Sequence, residues 1–210
     1  MARFSIEEFK AHVARRGGLA KPNRFFVSLT PPLGMRAGLS TIDVGNSIEY
    51  QCEGINFPGF QLNTQDYRRY QYGPSEKRPF GPHVNPLQMT IIADAQGVVW
   101  KFFQEWMSFI MPHSMEFGIR GVPTNDIGNQ YQIAYRRDYI TDVSIYHLPE
   151  HYSDGSQYTD FTNRIICYDC FPTAITDIAL NWADNNNLVR FGVQMDYLDF
   201  HWRPDSPQGG

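Results

Sequence analysis

"PTAITDIALNWADNNNLVRFGVQMDYLDFHW", residues 172–202, holds two runs of alternating apolar residues with an Asp/Asn cluster between them. The first run puts Thr176, Ile178, Leu180 and Trp182 on one face. The second puts Val189, Phe191, Val193, Met195 and Tyr197 on one face, with Arg190, Gln194 and Asp196 opposite. A period of two marks a half-buried strand, because successive Cβ atoms point to opposite sides of a sheet. The segment therefore predicts a hairpin. At Leu198 the phase flips, and Leu198, Phe200 and Trp202 fall on the formerly polar side. Such a flip requires a bulge, or a strand that leaves one sheet for another surface.

Further strands follow from the same period. "RIICYDC" (164–170), "YITDVSIY" (139–146), "LQMTIIA" (87–93) and Arg24–Leu29 all read as strands. Ile48, Tyr50 and Cys52 alternate with Glu49, Gln51 and Glu53, which predicts one more, ended by the turn chemistry of "FPGF" (57–60). Two helices interrupt the pattern. After Asp94, a capping residue, Val99, Phe102, Phe103, Trp106, Phe109 and Ile110 recur at helical spacing up to Pro112. That stripe reads as core rather than as a ligand pocket, since it lacks matching polar partners. At the N-terminus, Ser5 and Glu8 form a capping box, Ile6, Phe9 and Val13 share a face, and Gly17-Gly18 stop the helix. So short a helix needs a surface to dock on, its own domain or a neighbour.

The expected fold is mainly β, an antiparallel two-sheet sandwich or barrel with one flanking helix and a short N-terminal helix. Residues 1–18 form that helix, 19–202 the β domain, and 203–210 a flexible tail. Two excursions stand out. Residues 61–86, rich in Pro, basic and aromatic residues, read as a partly extended arm that packs on another surface, and 147–163 as a surface insertion.

Composition narrows function. With 18 Lys+Arg against 22 Asp+Glu, the net charge of −4 supplies no basic field for tight nucleic-acid binding. Charged residues are only 19% and aromatics 15%, a balance that hints at surface hidden by assembly. No apolar run reaches the ~20 residues of a membrane span, and "MARFSIEEFK" lacks a signal-peptide core, so a cytosolic origin is expected. Three Cys do not make a disulfide framework.

Motifs for chemistry fail on inspection. His147, Glu150 and His151 match H-x-x-E-H, but Pro149 between them and the turn-like "YSDGS" after them oppose the helix that zinc ligation needs. Cys167 and Cys170 stand three apart on a strand, so they should face opposite sides as two buried thiols. "DNNN" (184–187) lacks calcium-loop spacing and reads as a turn. With no phosphate loop, dinucleotide fingerprint or nucleophile elbow, the expectation is a non-enzyme without metal or cofactor.

In order and spacing, five segments resemble the phage tail tube family of contractile-tailed viruses. They are "LAKPNRFFVSL", "YQCEGINFPGF", "PLQMTIIADAQGVVWKFFQEWMSFI", "YRRDYITDVSIY" and the closing hairpin, together spanning about 19–202. The resemblance implies a hexameric ring whose sheets join into a continuous inner β-barrel. Rings stack into a tube through which DNA is ejected. Implied partners are other copies of the chain, tail sheath, baseplate tube proteins, and tape measure protein and DNA held weakly in the lumen. The implied place is the virion tail, assembled in the host cytoplasm. Candidate subunit contacts are Tyr67, Arg68, Arg69, Tyr70, Tyr72 and Phe80 of the arm, with Leu198, Phe200 and Trp202 at the C-terminal end. Alternatives are a baseplate-proximal initiator ring and the tube of an injection device. A carbohydrate-binding sandwich using Tyr152, Asp154 and Tyr158 is more distant.

Overall fold

The computed structural model describes residues 5–15, 18–35, 41–68, 72–111, 133–148, 163–178, 180–182 and 187–204. In chain order the elements are α1 (Ile6–Arg15), β1 (Phe25–Leu29), a 3-10 turn (Leu33–Met35), α2 (Thr41–Gln51), β2 (Cys52–Ile55), β3 (Phe60–Tyr67) and β4 (Glu76–Val84). They continue with β5 (Leu87–Ile92), α3 (Val98–Ile110), α4 (Arg136–Tyr139), β6 (Thr141–His147), β7 (Asn163–Ile175), β8 (Arg190–Asp196) and β9 (Asp199–Pro204).

One antiparallel sheet of seven strands runs in the order β1-β6-β7-β8-β5-β2, and β9 pairs with β7 off that path. The long strand β7 organises it. Its first part, Asn163–Tyr168, pairs with β9, and its second, Phe171–Ile175, pairs with β8. β8 and β9 thus lie end to end along β7, broken at Tyr197–Leu198, where the Leu198 amide donates to the Tyr168 carbonyl at 3.0 Å. That break is the phase flip read at Leu198. Phe25 of β1 and Ile55 of β2, from opposite ends of the strand order, line one groove, so the sheet rolls until its end strands approach.

The rolled sheet encloses one core. Val27 and Leu29, then Leu87, Met89 and Ile91, then Val143 and Ile145, then Phe191, Val193 and Met195 all point inward at the predicted period of two. α3 covers them. Val99, Phe102, Phe103 and Trp106 are fully buried, and Phe103 meets Phe191 edge to face at 6.5 Å. Trp106 has its only polar atom satisfied, because Nε1–H donates to the Tyr139 carbonyl at 2.8 Å. The helix starts where expected. Gly97 takes a left-handed φ of 66°, which a residue with a Cβ resists, and the Asp94 carboxylate accepts from the Val98 amide at 3.1 Å.

Four expectations need correction. Residues 48–51 are the end of helix α2, and only Cys52–Ile55 is strand. The alternation there coincided with a helical spacing, in which Gly45 approaches the Leu29 carbonyl and Ile48 is buried in the core. A second helix therefore joins α3 against the sheet. Next, β7 stops at Ile175, with one more bond from the Thr176 amide to the Gly192 carbonyl, so Leu180 and Trp182 leave the sheet and stand exposed. Third, Cys167 and Cys170 both face the core. Asp169 between them adopts φ 55°, and the β6–β7 register shifts between Thr141 and Val143. This bulge inserts the residue that turns Cys170 back inward. Finally, Arg203 and Pro204 of the expected tail extend β9.

Candidate assembly surfaces

The residues of the arm form a hairpin. Among the described residues β3 and β4 pair only with each other, from Phe60↔Val84 to Tyr67↔Glu76, with Phe80 as an extra residue at a register shift. Register places Phe60, Leu62, Pro82 and Val84 on one face, an apolar stripe. Its aromatics lie open: Phe60 is 63% and Phe80 69% exposed. On the other face Arg78 lies over the Tyr67 ring at 4.5 Å and bridges Glu76 at 3.1 Å, which fixes the hairpin's outer end. An isolated two-stranded hairpin is marginal in water.

The predicted contact residues fall into two groups. Tyr67, Arg68, Tyr72 and Phe80 are exposed on or beside the hairpin, while Arg69 and Tyr70 lie outside the described residues. Leu198 and Trp202 are exposed at β9, but Phe200 packs against the core and meets Tyr197 edge to face at 6.2 Å. The structure keeps the two groups on separate elements. No local pattern singles out Phe60 and Leu62, whose exposure is set by β3 standing off the main sheet.

The outward face of β8 and its neighbours is polar. It carries Gln88 and Thr90 of β5, Gln194 and Asp196 of β8, and Thr176, whose hydroxyl accepts from the Gly192 amide at 2.7 Å. Among the described residues named on it, the one cation is paired: the Arg190 guanidinium donates to both Glu53 oxygens, one at 3.2 Å. That pairing holds the Glu53 carboxyl below its ordinary pKa and raises that of Arg190.

A groove of about 300 Å³ opens where the end strands meet, lined among others by Lys21, Pro22, Phe25, Ile55, Phe57 and His147. His147 is only 7% exposed. Its Nε2–H donates to the Lys21 carbonyl at 2.9 Å, and among the described residues the buried Nδ1 has no hydrogen-bond partner. The H-x-x-E-H reading thus ends with this His on a strand, bonded to backbone, while Glu150 and His151 lie outside the described residues. Of the other sequence candidates, burial pushes the Cys52 thiol up to about 12, and the neighbouring Cys167 thiol and burial push Cys170 upward as well. Both shifts disfavour the thiolate, the nucleophilic form, at neutral pH. Among the described residues no three metal-ligating side chains gather, and no helix is long and apolar enough to cross a membrane.

The profile of the phage tail tube protein family matches residues 20–203. The chain belongs to that family. No curated protein sequence matches it. Among solved structures it resembles a chain of the sheath–tube complex of an extracellular contractile injection system (PVC) in the extended state. That likeness has 11% identity and a TM-score of 0.54, covering 96% of this chain and 99% of the other. It also resembles a chain of the anti-feeding prophage baseplate at 10% identity and TM-score 0.57, covering 89% and 97%. A chain of the anti-feeding prophage cap matches at 12% identity and TM-score 0.53, covering 89% and 91%. At such identities these likenesses describe the fold. α1 sits outside the family match, and none of its residues is buried.

Proposed function

We propose that this tail tube protein forms hexameric rings that stack into the inner tube of a contractile-tailed bacteriophage, the conduit for DNA at ejection. The observation that carries the reading is the β3–β4 hairpin, whose apolar stripe includes the exposed Phe60 and Leu62 and pairs, among the described residues, with no other element. A stripe of this kind is a liability in a monomer and a contact in an assembly. β1 and β2 end the strand order of the sheet, where strands of a neighbouring copy could extend it in a ring.

The polar face of β5 and β8 suits a lumen. It has amide and hydroxyl groups, and its Arg190 is neutralised by Glu53, so DNA would meet little free positive charge from the described residues there. Sheath outside the tube, baseplate proteins at its end and a tape measure protein inside are the corresponding partners. The role is mechanical and involves no catalytic step, metal or cofactor. It would be exercised in the virion tail after assembly in the host cytoplasm. A second reading, a baseplate-proximal initiator ring of the same fold, is favoured by α1, whose Ile6 and Phe9 lie exposed on one face as an adaptor would require.

Negative-stain electron microscopy of the concentrated protein, beside a sizing run, tests the reading. Hollow filaments of stacked rings are the expected result. Isolated rings that nucleate a homologous tube protein would favour the initiator. Monomers inert in both experiments would refute assembly.

A further inference from the structure

We infer that a basic row across the outer face of β1, β6, β7 and β9 docks an acidic segment of the surrounding sheath. The inference rests on the assembly proposed above and names one contact of its outer wall. Register sets the row. Phe26 of β1 stands opposite Tyr146 of β6, Tyr146 opposite Arg164 of β7, and Arg164 opposite Arg203 of β9. Their neighbours Val27, Ile145 and Ile165 belong to the core, so by alternation the row points away from it.

The row is prepared for an anion. The Phe26 and Tyr146 rings stack at 4.4 Å and 9°, and the Arg164 guanidinium lies over Tyr146 at 5.1 Å. Arg164 is thereby held in place with its Nε buried, and its terminal nitrogens remain for an incoming group. Directly across stands Arg203, which is exposed. Two like charges at opposed positions, with Cβ atoms roughly 5 Å apart, work against the pairing of β7 with β9. Among the described residues neither arginine has an ion-pair partner. A carboxylate that bridges both guanidiniums replaces that repulsion with charge-assisted hydrogen bonds.

Placement decides the source of the carboxylate. The β1–β6 wall and the β5–β8 wall hold the core between them, so their outer faces point away from each other. With β5 and β8 toward the lumen, the row looks outward, where sheath lies. A nucleic acid fits less well. Asp142 and Asp199 stand exposed toward the other end of these strands and the chain carries a net charge of −4, which together repel an extended phosphate backbone more than a short acidic peptide.

Fluorescence anisotropy with a labelled hexaglutamate peptide, beside a labelled DNA duplex, tests the row. Wild type should bind the peptide at low salt and release it as salt rises. Arg164→Gln and Arg203→Gln should each weaken binding by roughly tenfold, the scale of one charge-assisted hydrogen bond. Lys77→Gln, exposed on the hairpin and off the row, should bind like wild type. Arg203→Gln should melt no lower than wild type, because it removes a repulsion and no bond. Peptide binding that is absent in wild type, unaltered in Arg203→Gln or equally reduced in Lys77→Gln would overturn the docking row, as would tighter binding of the duplex. Microscopy separates this contact from assembly itself. Arg203→Gln should build normal tubes; its failure to do so, beside a wild type that builds them, would place the row between copies and overturn sheath docking alone. A wild type that forms neither rings nor tubes would remove both readings.

Discussion

Replacing residues 61–83 with an Asn-Gly turn separates the hairpin's two possible roles. Phe60 and Val84 are a cross-strand pair, so a two-residue turn can join them without disturbing what precedes or follows. None of the described residues removed is buried, and the hairpin pairs only with itself, so the core loses almost no contact. The domain's stability should therefore change by less than about 1 kcal/mol, a shift of at most about 2–4 °C in melting temperature at this size. Assembly should respond differently. The deletion takes away Leu62, Tyr67 and Phe80, all exposed. Burying such side chains against a neighbour is worth about 1.5–3 kcal/mol each before the costs of association. A net loss on the order of 4 kcal/mol raises the concentration needed for stacking about a thousandfold. Thermal melts of dilute protein read the first quantity, and sedimentation with microscopy of concentrated protein reads the second. A broadened or strongly lowered melt would show that the hairpin belongs to the core. Normal tubes from the variant would show that it takes no part in stacking.

Trp106→Phe removes a hydrogen bond and part of a fully buried ring, so urea denaturation should show a loss of about 2–3 kcal/mol, with the slope of the transition unchanged. Gly34→Ala places a Cβ within 2.4 Å of Phe109 and 2.9 Å of the Asp138 carbonyl, and should cost about 1–3 kcal/mol in the same assay. Cys52 holds its proton more tightly folded than unfolded, its pKa rising from 9.0 to about 12 through burial. That contribution is complete below pH 9.0 and is lost as pH rises toward about 12, so stability should fall across this window, and less steeply in Cys52→Ala. Equal alkaline slopes in the two proteins would refute the assignment to Cys52.

Alternation along β1, β5, β6 and β8, and the helical stripe of α3, were legible because each of these elements buries one face against the same core. The hydrophobic period then records the geometry directly. The break at Leu198 was legible for the same reason: a strand cannot change its buried face without changing its surroundings. Where the period misled, tertiary contacts had overridden it. Glu49–Gln51 looks like strand but completes a helix, because Gly45 and Ile48 bring α2 onto β1 and the core. The Cys167–Cys170 pair looked split between two faces, and only the left-handed Asp169 rejoins it.

Sequence alone determined strands β1, β5, β6 and β8, the covering helix and the family to which the chain belongs, since these rest on local periodicity and on order along the chain. The tertiary structure decided which apolar residues remain uncovered. Trp182 lies in a run that alternates like a buried strand, and Phe60 borders an arm that looked like a loop. Exposure is a property of what surrounds a residue in space. Only the rolled sheet, with β3–β4 standing off it and β7 ending at Ile175, left those side chains exposed.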